Sequence, residues 1–572
     1  MDIKKTIVCI VVVFLAVAIF DDWMRDYPGT FKKNFESVSE NSQSKEKALT
    51  RCVLSKPTTL QKIENVSSVS SLDQKNSFRE IRQRKAHLIT IRTDVLELII
   101  DPQRGGAIIS AKLLKYLDEK KRQPMQILSN NSKRLYIAQS GLINWKDKTP
   151  VVFCCPEQKD QYILDKNKNK IVVQLKNRTP KGVCIRKIYT VYRNDYAVRI
   201  DYLMHNSTKK PWKGSFCAQI TQREPRVKHH HFYARSYSGV AISDSQTPYE
   251  KITYKDMQEK DIDRTSKGGW IAVQQHYFLS VWIPDSDLIY HYYSCILSSR
   301  IIGNTYTVGF ISSPMNVGSG ETTISCAKFY VGPKEVERLK TLAEPGLDRT
   351  IDYGWFWPIS VLLFRLMRAI HFVVKNWGWT IVLTTTFIKI VFYWFSAQSF
   401  RSMIRIREIQ PRLQELKKRY GKDRKSLGRA TIALYRTEKI NPLGGYLPML
   451  IQIPVFIAFY YVIMESVELR QAPFVFWIHD LSSKDPYYIL PILMGIGMLI
   501  QQKLSSVSLD PKQQRIMWIF PAICTTFFIN FPSGLVLYWL INSFIQTLQQ
   551  WFIHRTHTNR KEKLKILCNR KS

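Results

Sequence analysis

The sequence predicts a polytopic α-helical membrane protein of six spans joined to a large all-β domain, and three observations predict it. Long uncharged runs crowd into the chain after about residue 376. Residues 86–345 instead show apolar residues alternating over short stretches, the period of a half-buried strand. A short uncharged run, Thr6–Phe20, stands alone behind Lys4 and Lys5. The slightly negative mean hydropathy averages these unlike parts and decides nothing.

The 15 residues of Thr6–Phe20 rise about 22 Å as a helix, short of the roughly 30 Å hydrocarbon layer, so Trp23 and Met24 extend the helix into the interface. No small-x-small cleavage site precedes Asp21 and Asp22, which predicts an uncleaved anchor over residues 1–24 with its lysines in the cytoplasm. Residues 25–85 are rich in Ser, Lys, Glu, Asn and Gln from Phe35 onward, the composition of a flexible linker.

In residues 86–345, Tyr196, Val198, Ile200, Tyr202 and Met204 recur at every second position. Arg104-Gly105-Gly106 and Arg193-Asn194-Asp195 supply turns. Many short strands so punctuated predict an extracytoplasmic antiparallel β-sandwich. It shows no catalytic constellation. Cys154–Cys155 and His229–His231 lack further ligands at metal-site spacing, so no metal is expected. The ten cysteines are irregularly spaced along a long chain, unlike a disulfide scaffold.

Residues 346–375 hold an apolar stretch, Trp355–Val374, that carries Arg365 and Arg368. Two arginines at the centre of a span cost roughly 5–7 kcal/mol. With Phe372 and Lys375 they share one side of a helix, which predicts an amphipathic helix lying in the interface.

In residues 376–553, Trp379–Phe400 is a span broken only by Lys389. Ile440–Met464 is uncharged for 25 residues and Pro486–Gln502 for 17. Ile516–Ile553 is uncharged for 38 residues, about 57 Å as a helix, and must fold back, with Asn530-Phe531-Pro532-Ser533-Gly534 as the turn. With the anchor this makes six spans. Loop charge tests the count independently. Arg401–Gly445 holds 13 Lys/Arg against 4 Asp/Glu, Lys503–Arg515 holds 3 against 1 and the tail His554–Ser572 holds 7 against 1, whereas Glu468–Asp485 holds 2 against 3. The first three are therefore cytoplasmic and the fourth is outside. Long domains cross regardless of charge, which leaves residues 25–350 periplasmic and both termini cytoplasmic.

Arg401–Gly445 reads as a helical hairpin. Ile406, Ile409, Leu413, Leu416 and Tyr420 repeat at spacings of three and four, Gly421-Lys422-Asp423 bends the chain, and Leu427, Ala430 and Leu434 continue the stripe. The net charge is +38. It comes without aromatics or a groove-reading motif among the basic residues, which argues against specific nucleic-acid binding. No Gly-rich loop ends in Lys-Ser/Thr, which argues against nucleotide hydrolysis.

Lys389 lies about ten residues from either end of its predicted span, too deep for its stem to reach the interface. It needs water or a partner. Thr384, Thr385 and Thr386 lie one turn away, and Gln452, Asn542, Ser543 and Gln546 lie in other spans, a set that fits a wet polar cavity.

The chain also carries Ser266-Lys267-Gly268-Gly269-Trp270, Asp352-Tyr353-Gly354-Trp355, Asn376-Trp377-Gly378, Asn441-Pro442-Leu443-Gly444-Gly445 and Phe531-Pro532-Ser533-Gly534-Leu535. A longer stretch runs from Ser466-Val467-Glu468-Leu469-Arg470-Gln471-Ala472-Pro473-Phe474 through Trp477-Ile478-His479-Asp480-Leu481 to Asp485-Pro486-Tyr487-Tyr488. In these motifs it resembles the YidC/Oxa/Alb insertase family, of the Gram-negative type, over nearly its whole length. The resemblance implies a five-helix insertase core, a β-supersandwich periplasmic domain and a cytoplasmic hairpin. It implies no cofactor and no bond-making chemistry, so not an enzyme, but insertion and folding of nascent membrane proteins. Lys389 then takes the place of an intramembrane arginine lining a substrate groove, with Thr385 on the same wall and Tyr538 and Trp539 as substrate-contacting aromatics. Trp394 stands where the family pattern has a proline. The Sec translocon, the ribosome and membrane lipids are the further partners it implies. A secondary transporter, the alternative, would couple Lys389 to an anionic solute, but the spans show no inverted repeat. A sugar-modifying activity of the β domain would rest on fold alone.

Overall fold

The computed structural model describes residues 88–569, apart from 119, 121, 132–133, 145–150, 179–181, 224–236, 300–302, 345, 422, 439–446 and 506–510. The expected anchor and linker, the His229–His231 run and the Asn441–Gly445 motif lie outside the described residues. The chain divides into two compact units, one ending at Ile351 and the other beginning again at Asp352.

The first unit is a two-layer sandwich. One sheet has 11 strands, in the order Asp263–Lys267, Ile289–Leu297, Thr305–Ser312, Trp212–Arg223, Leu135–Ile143, Pro124–Asn130, Ala107–Leu117, Leu96–Asp101, Ile89–Arg92 and Gln161–Ile163, with Met315–Val317 paired beside Trp212–Arg223. The other has 8, in the order Glu250–Ile252, Gly239–Ser243, Trp270–Gln274, Phe278–Pro284, Thr322–Pro333, Ala197–Asn206, Val183–Tyr192 and Lys170–Arg178. Pairing is antiparallel except between Ile89–Arg92 and Gln161–Ile163. The expected alternation is realised, since Tyr196, Val198, Ile200, Tyr202 and Met204 are all buried. Both expected turns form, with Gly105, Gly106 and Asn194 at positive φ. Across the layers the indole Nε1–H of buried Trp282 donates to the Gln219 carbonyl at 3.1 Å.

Strand Val183–Tyr192 points Val183, Ile185, Lys187, Tyr189 and Val191 inward, so a lysine enters the core by register alone. Lys187 is 0% exposed. Its Nζ donates to the carbonyls of Gly105 at 3.0 Å, Gly106 at 2.9 Å and Ser140 at 3.2 Å, and lies 5.1 Å from the ring centres of Tyr189 and Tyr202. Gly106 allows this approach, because a Cβ there would lie 2.6 Å from the Tyr189 hydroxyl. Cys154 is an exposed thiol, the Cys155 thiol meets the Tyr162 hydroxyl, and no group of three metal-ligating side chains occurs among the described residues. Cys295 is disulfide-bonded.

The second unit is helical: α1 Trp357–Val374, α2 Trp377–Val391, α3 Tyr393–Glu408, α4 Gln410–Tyr420, α5 Arg424–Thr437, α6 Leu447–Glu465, α7 Ile489–Ser505, α8 Pro511–Phe528 and α9 Ser533–Asn569. Helices α8 and α9 are separated at 529–532, overlapping the predicted turn, whose Ser533 and Gly534 already belong to α9. Helices α4 and α5 form the expected hairpin, with Asp423 accepting from the backbone N–H of Lys425 and Ser426 at the bend. The predicted seam residues Ile406, Leu413, Leu416, Tyr420, Leu427, Ala430 and Leu434 are half-buried among exposed neighbours.

The span expected over Trp379–Phe400 is not one helix. It breaks at Phe392, where α2 and α3 meet at 64°. No proline or glycine stands at the break, so its cause is in the ladder. The Phe392 N–H is shared between the carbonyls of Ile388 and Ile390, and the next carbonyl, Tyr393, accepts the Gln549 side-chain amide at 3.4 Å. Lys389 is accordingly in the last turn of α2, not ten residues from its end.

Helix α1 buries Leu363, Phe364 and Met367, and its Ser360 hydroxyl donates to the Ala458 carbonyl of α6. Just before it, Gly354 packs on the ring of Tyr461, four residues from the end of α6. Its last turn stacks His371 on Trp377, the first residue of α2. The end of α6 and the start of α2 adjoin the same segment, residues 466–488, so both ends of α1 lie at one end of the bundle. An 18-residue helix, about 27 Å long, so placed runs across the bundle end. By length and composition α1 alone, or the bent pair α2–α3 as well, would pass as a span among the described residues. The six-span count therefore does not follow from helix lengths.

Candidate substrate groove

Helix α2 begins with Asn376, whose side-chain oxygen accepts the Trp379 N–H at 3.1 Å. From there Thr380, Ile381, Thr384 and Thr385 turn one buried face inward at three- and four-residue spacing. The Thr385 hydroxyl is held by its own helix, donating to the Ile381 carbonyl at 2.7 Å, whereas buried Thr384 Oγ1 has no partner. One turn beyond Thr385, Lys389 Nζ donates to Gln546 Oε1 of α9 at 3.5 Å. The C-terminal end of α2 favours a cation there, because unpaired carbonyls give a helix end partial negative charge.

Helix α9 answers with a polar stripe in an apolar run. Asn542 and Ser543 are buried, Gln546 meets Lys389, and Gln549 and Gln550 are buried one turn on. Sequence reasoning found Asn542 and Gln546 but missed Gln549 and Gln550. Their signal is the recurrence of amides at 542, 546 and 549/550, a single helical face. Earlier on α9 Tyr538 is buried, stacked on Phe459 at 4.4 Å, and Trp539 sets its ring edge-on to Phe456 at 5.0 Å. The Trp539 indole N–H has no partner. Gln452 is half-buried on α6, one turn before Phe456. The structure thus joins Lys389 to α9 through Gln546 and sets Tyr538 and Trp539 in an aromatic cluster two turns away.

Residues 88–366 match the family described as the YidC periplasmic domain, and residues 369–561 match the 60Kd inner membrane protein family. The membrane protein insertase YidC of Coxiella burnetii (strain RSA 331) is 53% identical over 574 residues, covering 100% of both chains. The chain belongs to the YidC family of membrane protein insertases. The Legionella pneumophila (strain Paris) member is 39% identical over 581 residues, again covering 100% of both. A solved structure of an active YidC insertase with its first transmembrane domain resolved covers 81% of this chain and 92% of its own at 18% identity, with a TM-score of 0.37, too loose a likeness to carry an argument. As a YidC-family protein, the chain has a β-sandwich periplasmic domain and a helical C-terminal region, and it belongs to the inner membrane.

Proposed function

We propose that this chain inserts nascent membrane proteins by drawing a client's polar tail into a hydrated groove between α2 and α9, while the client's apolar segment passes sideways into lipid. The observation that carries the reading is an ammonium in the apolar half of the chain whose hydrogen bond runs to a neutral amide, Gln546, and, among the described residues, to no carboxylate. Such a group is costly in hydrocarbon unless water reaches it. Lys389, Thr385, Asn542 and Gln452 form the polar lining in this reading, with Tyr538 and Trp539 as the aromatic contacts. Transfer of apolar surface out of water, at about 25 cal/mol per Å², drives the step without nucleotide.

The core is five spans: the bent α2–α3 pair, α6, α7, α8 and the first part of α9. The N-terminal anchor is the sixth. The loop charges support cytoplasmic termini and a periplasmic stretch over residues 25–350. The disulfide at Cys295 supports it too, because such bonds persist in oxidising compartments. In this reading the hairpin and tail meet the ribosome, the core meets the Sec translocon, and α1 rests against membrane lipids.

Purified chain in liposomes should insert a small membrane protein with no nucleotide present, and no insertion under those conditions sinks the reading. Protease added outside spheroplasts should clip within residues 35–345 and spare Arg401–Gly445; the reverse pattern rejects the topology.

Most of Phe35–Val331 is expected to be dispensable for insertion, because groove and hairpin lie after it, while the part nearest Trp355 supports stability. Both sheets mix strands from early and late in the unit, so a partial deletion would leave strands without their neighbours, and the informative deletion removes residues 37–351 whole. Insertion lost by a folded membrane unit would count against dispensability.

A further inference from the structure

Residues 466–488, between α6 and α7, make an unusual number of fixed contacts for a connection. The Asp480 carboxylate accepts from the backbone of Gln471 at 3.0 Å and Ser482 at 2.9 Å, and from the hydroxyls of Ser482 and Ser483 at 2.7 Å each. Asp485 is buried. Its carboxylate accepts the Trp477 indole N–H at 3.1 Å, the Tyr487 N–H at 3.1 Å and the Leu490 N–H, in the first turn of α7, at 2.8 Å. Gln471, Phe476 and Tyr488 all hold positive φ. Non-glycine residues keep such backbone only where the surroundings over-determine it.

This segment fastens four helix ends. It continues from α6, and Asp485 caps α7. At the start of α9 the Ser533 hydroxyl donates to the carbonyls of Asp480 and Ser483 at 2.8 Å, and the Gly534 N–H donates to Leu481 at 2.9 Å. At the start of α2 the Phe474 ring covers Gly378 so closely that a Cβ would meet it at 2.0 Å. Val467, Leu469, Ile478 and Leu481 are buried beneath. The Lys389–Gln546 contact sits at the far end of the same helices, 11 residues from Gly378 along α2 and 12 from Gly534 along α9, about 16–18 Å away. The wet end and the fastened apolar end oppose each other.

We propose that residues 466–488 are an ion-tight seal on the non-cytoplasmic end of the groove, and that Asp480 and Asp485 are the positioning residues that hold it shut. The inference rests on the groove reading for which end is wet. A cavity that admits water from the cytoplasm would short-circuit the membrane if it were open at both ends. Three N–H groups converging on one buried carboxylate fix the segment where apolar packing alone would let it slide. Opening the seal exposes a path whose narrow polar part carries the Lys389 charge, so ions leaking through it should be anions in preference to cations.

The test uses the full chain in proteoliposomes carrying an imposed chloride or potassium gradient. Wild-type vesicles should hold both gradients. Asp485→Ala should leak chloride at least about tenfold faster than wild type and faster than potassium, Ser533→Ala should leak less, and Asp485→Ala combined with Lys389→Ala should lose the chloride preference. Leaky wild-type vesicles overturn the proposal, as do Asp485→Ala vesicles as tight as wild type. So does a leak indifferent to ion and to Lys389, which marks general damage. Should Asp485→Ala not fold, Ser533→Ala decides: a chloride leak faster than wild type and faster than potassium supports the seal, and vesicles as tight as wild type overturn it. Client insertion is read in the same wild-type vesicles: its absence sinks the groove reading, while gradient retention judges the seal.

Discussion

Proteoliposomes carrying Lys389→Ala should insert a client with an acidic tail on the order of tenfold more slowly than wild type, a change of about 1.4 kcal/mol in barrier, while a client differing only in a neutral tail slows far less. A carboxylate meeting an ammonium at about 4 Å gains roughly 4 kcal/mol at the effective dielectric of a partly wet site. Water in the groove and imperfect contact leave a fraction of that. Lys389→Arg should be tolerated or improved, since it keeps the charge, can still reach Gln546 on α9, and restores the residue that the family resemblance implies. Its planar fork also grips carboxylates in two places. If Lys389 were instead only a clasp between α2 and α9, every client would slow equally and the mutant would melt earlier in detergent. Paired clients and a melting curve separate the two, and uniform loss with a destabilised fold would reject the electrostatic role.

In the periplasmic unit, Lys187→Ala should lower stability by about 2–5 kcal/mol, the usual range for removing a long buried side chain. Lys187→Met keeps most of the packing and should fall much less, but it should abolish a pH dependence. Burial pushes the Lys187 pKa well below its ordinary 10.5. Between that depressed value and 10.5 the unfolded chain holds a proton that the folded chain does not, so stability rises with pH across this window. Tyr189 and Tyr202 act oppositely, because burial raises their pKa and their unfolded forms ionise near the ordinary 10.0. The Lys187 rise is thus readable below about pH 10. Hydrogen exchange of strand Phe278–Pro284 in the full chain, measured from pH 7 to 9, should slow with pH beyond its intrinsic trend in wild type but not in Lys187→Met. An identical slope in the two chains would remove Lys187 as its source.

Much of this was legible from patterns that depend on neighbouring residues alone. Period-two alternation marked Tyr196–Met204 as a strand facing a core, because the pleat fixes side-chain direction. The 38-residue run Ile516–Ile553 had to turn because it outran the bilayer, and Asn530–Gly534 is where it does. Lys389 stood out as the one charge in the uncharged run Trp379–Phe400, but the depth assigned to it was wrong, since it lies in the last turn of α2. The bend at Phe392 was not legible, since no proline or glycine marks it and the side chain that meets the backbone beside it, Gln549, lies more than 150 residues later. Trp394, where the family pattern has proline, gave no warning that the helix would break anyway. Lys187 could have been found, because the alternation of Val183, Ile185, Tyr189 and Val191 assigns it to the core. A lysine in such a place is readily passed over as a surface residue. Asp480 and Asp485 looked like loop acids, and only the folded segment shows what converges on them.

Helix α9 does not stop where its apolar stretch ends; it continues without interruption from Ser533 to Asn569. A rigid rod that pivots in the bilayer is a lever. If it turns about Gln546, its tip lies 23 residues on, about 35 Å away, so a tilt of roughly 10° sweeps the tip through about 6 Å. Read in reverse, a load of several ångströms on the basic tip reaches the Lys389 contact geared down to a small rotation of the wall it stands on. The tail is then a mechanical input as well as a patch of charge.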